Sequence, residues 1–178
     1  MKRTLVPFAV FAAFVWTVWL ANWALKRWGT VPVGFGLEAP AGVYFAGLGF
    51  LLRDVLYEVA GAVWVIGGII TGALVSYLID ANVTIPGGVV SIAIASGLAF
   101  LFSELCDMFV YTPLRTTSWP AAVGFSQVVG AFVDSVVFLA LAFGSMALLW
   151  GQVVGKTLFV APIVLAMFLF RRTRVAPA

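Results

Sequence analysis

Residues 5–25 read LVPFAVFAAFVWTVWLANWAL, an uncharged run closed by Lys2 and Arg3 on one side and by Lys26 and Arg27 on the other. A run of about 20 apolar residues spans the roughly 30 Å hydrocarbon core of a bilayer as a helix, with its backbone hydrogen bonds satisfied internally. The segment therefore predicts a transmembrane helix. It is too long for a signal peptide and lacks a small-residue cleavage pattern before Lys26, so it is expected to remain as the first helix. The rest of the chain follows suit: 63% of residues are hydrophobic, 10% are charged and the mean hydropathy is +1.14. Soluble domains carry about 25% charged residues, so a water-soluble fold is excluded.

Segmentation predicts one all-α domain over residues 1–178, an integral membrane bundle of six transmembrane helices at about 5–25, 42–59, 62–79, 89–111, 121–141 and 153–170. Residues 28–40, with three Gly and two Pro, read as a loop, and whether it dips back into the membrane is left open. A tight turn is expected at Gly61, and Asp80, Asn82 and Pro86-Gly87-Gly88 mark the next connection. With six spans, one side collects Lys2, Arg3, Arg115, Arg171, Arg172 and Arg174, and the other only Lys26 and Arg27. Loops rich in Lys and Arg stay in the cytoplasm, which predicts cytoplasmic termini in a bacterial plasma (inner) membrane.

The same counts exclude function classes. The basic residues sit in twos and threes at segment ends, where they anchor helices to the lipid bilayer, and form no stripe for nucleic acid. Without His, with Cys106 as the single cysteine and without a G-x-S-x-G turn, the chain lacks the usual bases, soft metal ligands and nucleophile elbow. No enzyme activity, cofactor or metal is expected.

Seven ionisable residues nevertheless fall inside the apolar segments: Arg53, Asp54, Glu58, Glu104, Asp107, Asp134 and Lys156. Each costs about 2.5–3.5 kcal/mol at the bilayer centre unless it faces protein, water or a partner. Asp54 and Glu58 share one helical face beside Arg53, and Glu104 and Asp107 share another, with Arg115 about two turns beyond. Gln127, Asp134 and Phe138 form a stripe past the small Gly130, and Gln152 lies one turn before Lys156. Any one of these groups could simply pair between helices. Together, five carboxylates against Arg53 and Lys156 leave an excess of negative charge, which asks for protons or a donor-rich ligand.

Three stretches carry a resemblance: RDVLYEVAG at 53–61, SELCDMFVYTPLR at 103–115 and SQVVGAFVDSVVFLALAF at 126–143. In this order they resemble the family of queuosine-precursor transporters, also called vitamin-uptake-transporter-like proteins, and Lys156 looks like the lysine of that family's last helix. The resemblance implies a fold similar to the substrate-binding subunits of energy-coupling-factor transporters, and import of 7-cyano-7-deazaguanine or 7-aminomethyl-7-deazaguanine. It implies a substrate site among Asp54, Glu58, Glu104, Asp107, Gln127, Asp134 and Lys156. A deazaguanine offers a paired N1–H and exocyclic amine, which Asp134 or Glu104 could accept. Gln127 could meet its carbonyl, Phe132 or Phe138 could stack on the ring, and Arg53 and Arg115 could balance charge or gate. A second reading makes the chain a binding subunit that needs an energy-coupling membrane protein and ATPases, with Ala9 and Ala13 as the contact face. Assembly into a homo-oligomer is a further expectation.

Overall fold

The computed structural model describes residues 2–80, 84–85, 87–114, 116–117 and 119–172. It contains, among these residues, six helices and one hairpin: α1 Lys2–Trp28, β1 Thr30–Gly34, β2 Leu37–Pro40, α2 Val43–Ala60, α3 Ala62–Asp80, α4 Ile92–Leu114, α5 Trp119–Ala142 and α6 Leu149–Arg172. The helices close a ring in the order α1, α3, α4, α5, α6, α2 and back to α1. The α4–α5 packing is the most extensive of these contacts.

Three stretches, Leu5–Trp28, Ile92–Leu114 and Ala121–Ala142, are long and apolar enough to cross a membrane. The outer surface agrees: Val63, Ile66, Ile70 and Leu74 recur at helical spacing along α3 and are all exposed, as are Phe102 and Phe109 on α4. An apolar exterior this continuous belongs against lipid, so the protein is a membrane protein. Helix α2 carries Arg53, Asp54 and Glu58, polar groups that the ring turns away from this surface to different degrees: Arg53 is buried, Asp54 partly so and Glu58 exposed.

Residues 30–40 correct the expectation of an irregular loop. They form an antiparallel hairpin in which Thr30 pairs with Pro40, Val31 with Ala39 and Pro32 with Glu38. The turn at Phe35 and Gly36 has φ of 54° and 72°, the double positive φ of a turn whose twist matches paired strands. Val33 and Ala39 point inward and pack with Val43 at the start of α2. The Gly and Pro that suggest a loop are the hairpin's bulge, turn and ends, while the alternating Val31 and Val33 supply the strand character.

The hairpin sits directly on the first turn of α6. A Cβ built on Gly151 would lie 1.7 Å from the backbone oxygen of Glu38, so only glycine permits this approach. We expect Gly151→Val to push the hairpin off α6 and to destabilise the protein by about 1–3 kcal/mol, read as a lower thermal midpoint in detergent. A midpoint equal to that of the wild type would show that the hairpin does not rest on α6.

At the opposite end, Gly61 alone separates α2 from α3, with φ of 85° and its N–H donating to the Tyr57 carbonyl at 2.8 Å. Inside the ring, Phe14 from α1 and Leu56 from α2 pack against Val65 and Ile69 of α3. Phe50 and Phe100 stack across the interior at 5.3 Å between centroids. This apolar layer divides the interior into an upper part, beneath the hairpin, and a lower part toward the α2–α3 turn.

Candidate functional site

Two polar clusters occupy the interior, one to either side of the Phe50–Phe100 layer. The upper cluster is built by α5 and α6. The Lys156 ammonium donates to Asp134 Oδ2 at 2.5 Å, Gln152 Oε1 at 2.7 Å and Ser135 Oγ at 2.9 Å. An ammonium has three donors, and all three are used, so Lys156 is fixed in place. It reaches the interior because α6 crosses close to α2: a Cβ on Gly47 would stand 3.2 Å from the Lys156 carbonyl oxygen. Asp134, Gln152 and Lys156 are all buried.

These three side chains line a cavity of about 60 Å³, walled also by Thr17 and Asn22 of α1 and by Phe100 and Phe138. The cavity has a mostly hydrocarbon wall with polar groups gathered on one side, the usual make-up of a small-molecule site. Gln152 spends its oxygen on Lys156, which leaves its amide N–H groups as donors. Asn22 adds another amide, held by an O–H from Ser96 at 2.9 Å and by its own donation to Ser76 Oγ.

The lower cluster centres on Arg53. Its Nη1 donates to Asp107 Oδ2 at 2.7 Å and to Glu104 Oε2 at 3.0 Å, and its Nε lies 3.0 Å from Asp54 Oδ1, out of hydrogen-bond alignment. Gln127 from α5 donates to the other Asp54 oxygen at 2.6 Å. Since α4 and α5 are not among the main packing neighbours of α2, these long side chains cross the middle of the ring. Arg53, Glu104 and Asp107 are each about 97–98% buried, yet Arg53 Nη2, Glu104 Oε1 and Asp107 Oδ1 have no hydrogen-bond partner. Below them, Arg53, Asp54 and Asp107 reach a second cavity of about 30 Å³, with Tyr57, Glu58 and Tyr111 at its rim.

The structure thus distributes the sequence-derived candidates over two clusters. Asp134, Lys156 and Phe138 meet at the upper cavity, whereas Asp54, Glu104, Asp107 and Gln127 gather around Arg53. Glu58 is exposed at the lower rim, where it accepts from the Tyr111 hydroxyl at 3.2 Å. Phe132 is 41% exposed and packs on Trp150 at the outer surface, away from both cavities. Arg115 lies outside the described residues. Among the described residues no three acidic or cysteine side chains converge as metal ligands.

Asn22 and Ser96 join the upper cavity without having been singled out by sequence, and Gln152, noted there only as a neighbour of Lys156, joins it too. The signal was present for Asn22, the one amide in the apolar run of α1, since an amide inside a span requires an interhelical partner. Gln152 is legible as the residue one turn before Lys156.

Comparison with known proteins adds a family. Residues 40–170 match the family described as "Putative vitamin uptake transporter". No match is found among the curated proteins or the solved structures. The family match covers nearly three quarters of the chain, from the end of the hairpin through α6, and so includes the Arg53 cluster and the Asp134–Lys156–Gln152 group, with Thr17 and Asn22 of α1 outside it. The chain belongs to the vitamin uptake transporter family.

Proposed function

We propose that this protein imports a 7-deazaguanine precursor of queuosine, 7-cyano-7-deazaguanine or 7-aminomethyl-7-deazaguanine. In this reading all six helices span a bacterial plasma membrane, both termini lie in the cytoplasm and the hairpin faces outside. The observation that carries it is the Asp134–Lys156–Gln152 group set into an aromatic-walled cavity. The Asp134 carboxylate accepts the paired N1–H and exocyclic amine of the base, and the Gln152 amide donates to its carbonyl. Phe100 and Phe138 line the cavity as the aromatic part of its wall beside the flat ring. The order of the three sequence stretches that resemble queuosine-precursor transporters supports the same ligand.

At about 60 Å³ the cavity is smaller than the roughly 150 Å³ that accommodates a benzene ring, so a bicyclic base requires it to widen. Binding is therefore coupled to movement of the walls, as transport demands. Uptake of labelled precursor into a host unable to make it tests the function. Wild-type protein restores uptake and Asp134→Ala does not; equal uptake by both would remove Asp134 from the site. Phe138→Ala should weaken binding by about 1–3 kcal/mol, roughly 5- to 150-fold, the range for loss of one base-stacking aromatic.

The second reading, a binding subunit driven by ATPase partners, draws on Ala9 and Ala13, which are exposed on one face of α1 and open to a partner helix. Transport by the purified chain alone in liposomes would reject dependence on such a partner.

A further inference from the structure

The Arg53 cluster has a charge excess that substrate binding in the upper cavity leaves unexplained. One guanidinium faces three carboxylates, all within 3.0 Å of its nitrogens. Were all three ionised, the group would hold two uncompensated negative charges in a bundle core. The other charged groups nearby do not relieve this. Glu58 adds a further carboxylate at the rim, and Lys156 is committed to Asp134. From α5 the neutral Gln127 enters the cluster, and the Asp134 carboxylate lies near enough to Glu104 to add to its negative surroundings.

The unpartnered atoms sharpen the point. Glu104 Oε1 and Asp107 Oδ1 are buried and accept no hydrogen bond. A buried anionic oxygen without a donor is costly, whereas a protonated carboxyl removes the charge that makes it so. A metal ion fits less well: Arg53 occupies the centre of the carboxylates, and among the described residues no metal-ligand group forms. The small lower cavity reaches Arg53, Asp54 and Asp107 from one end of the bundle. Glu104 lies one helical turn from Phe100, which walls the substrate cavity on the other side.

We propose that Glu104 and Asp107, organised by Arg53 and Asp54, form a proton-binding site that couples import of the base to proton entry. The proton is taken from water at the hairpin end and released to water at the α2–α3 end as the interior changes access, with no covalent bond made or broken. The proposal rests on the transport function above. It adds the driving ion and moves Glu104 and Asp107 from substrate binding to coupling.

The test uses the full-length protein in liposomes containing a pH-sensitive dye, with 7-cyano-7-deazaguanine as substrate and binding measured separately on the purified protein. An inward proton gradient of one pH unit should drive about tenfold accumulation of a neutral base if one proton accompanies each molecule. The lumen should acidify only when substrate is added, and a protonophore should abolish accumulation. Asp107→Asn and Glu104→Gln should bind and equilibrate the base but lose accumulation and substrate-dependent acidification. Downhill transport by the wild type without gradient-driven accumulation would overturn the coupling and leave the transport function standing. Accumulation driven by a sodium gradient instead, or undiminished proton-driven accumulation by both variants, would likewise overturn it. Absence of both binding and uptake in the wild type would overturn the transport function, and the coupling with it.

Discussion

Lys156→Ala destabilises the protein by about 3–5 kcal/mol and abolishes binding of the base, the expected result of removing one partner from a buried ion pair. The cost arises from what remains. Asp134 keeps its carboxylate in a buried site, and Gln152 Oε1 and Ser135 Oγ lose the donor that now lies 2.7 and 2.9 Å away. Replacing both charges, as Asp134→Asn with Lys156→Met, removes the stranded anion and should recover most of the stability. It should not recover binding, because the acceptor for the paired donors of the base is gone. Thermal unfolding in detergent and a binding titration, run on the two single variants and the double variant, separate these effects. Full binding by the double variant would show that the pair is structural only.

Arg53→Met is expected to be the more damaging change. It leaves Asp54, Glu104 and Asp107 facing one another without a cation, and the loss should reach at least the upper part of the range of about 3–5 kcal/mol for one broken buried pair. Arg53→Lys should rescue only in part. A single Arg53 Nη1 bridges two carboxylates of α4 while Nε lies beside Asp54, and a compact ammonium cannot reproduce that spread of donors. Adding Glu104→Gln and Asp107→Asn to Arg53→Met should restore stability beyond the sum of the separate effects, since the residues act as one unit. Thermal midpoints across this set measure the coupling, and simple additivity would mean that the cluster is not a unit.

How far these groups were legible in the sequence depends on what a sequence pattern encodes. Uncharged runs between basic residues mark helices directly, because helix length and polarity are written into the chain. Spacing also identifies faces: Glu104 and Asp107, three positions apart on α4, meet the same guanidinium. Spacing does not say which faces meet. Gln127 and Asp134 share a stripe of α5, but seven residues carry the helix about 10 Å, and they end in different clusters. The rotation of about 100° per residue also separates Phe132 from the stripe that holds Asp134 and Phe138, and Phe132 accordingly packs at the outer surface.

The hairpin was hidden for a different reason. Its Gly and Pro residues are the common vocabulary of loops, and its pairing depends on a turn with φ of 54° at Phe35, a residue that does not advertise that conformation. Its docking depends in turn on the absence of a side chain at Gly151, far along the chain. The docking is a tertiary fact. The division of the charged residues into an upper cavity and a lower arginine cluster is of the same kind, and it is what separates a substrate site from a coupling site in this account.

A binding titration of the purified protein with 7-cyano-7-deazaguanine, 7-aminomethyl-7-deazaguanine and guanine decides whether the upper cavity is the substrate site. Assignment of the upper cavity as the substrate site requires saturable one-to-one binding of at least one of the two precursors, weakened at least tenfold, or about 1.4 kcal/mol, by Asp134→Asn and by Gln152→Ala but not by Asp107→Asn. Saturable binding of neither precursor, or binding that Asp107→Asn abolishes and Asp134→Asn leaves intact, would contradict it.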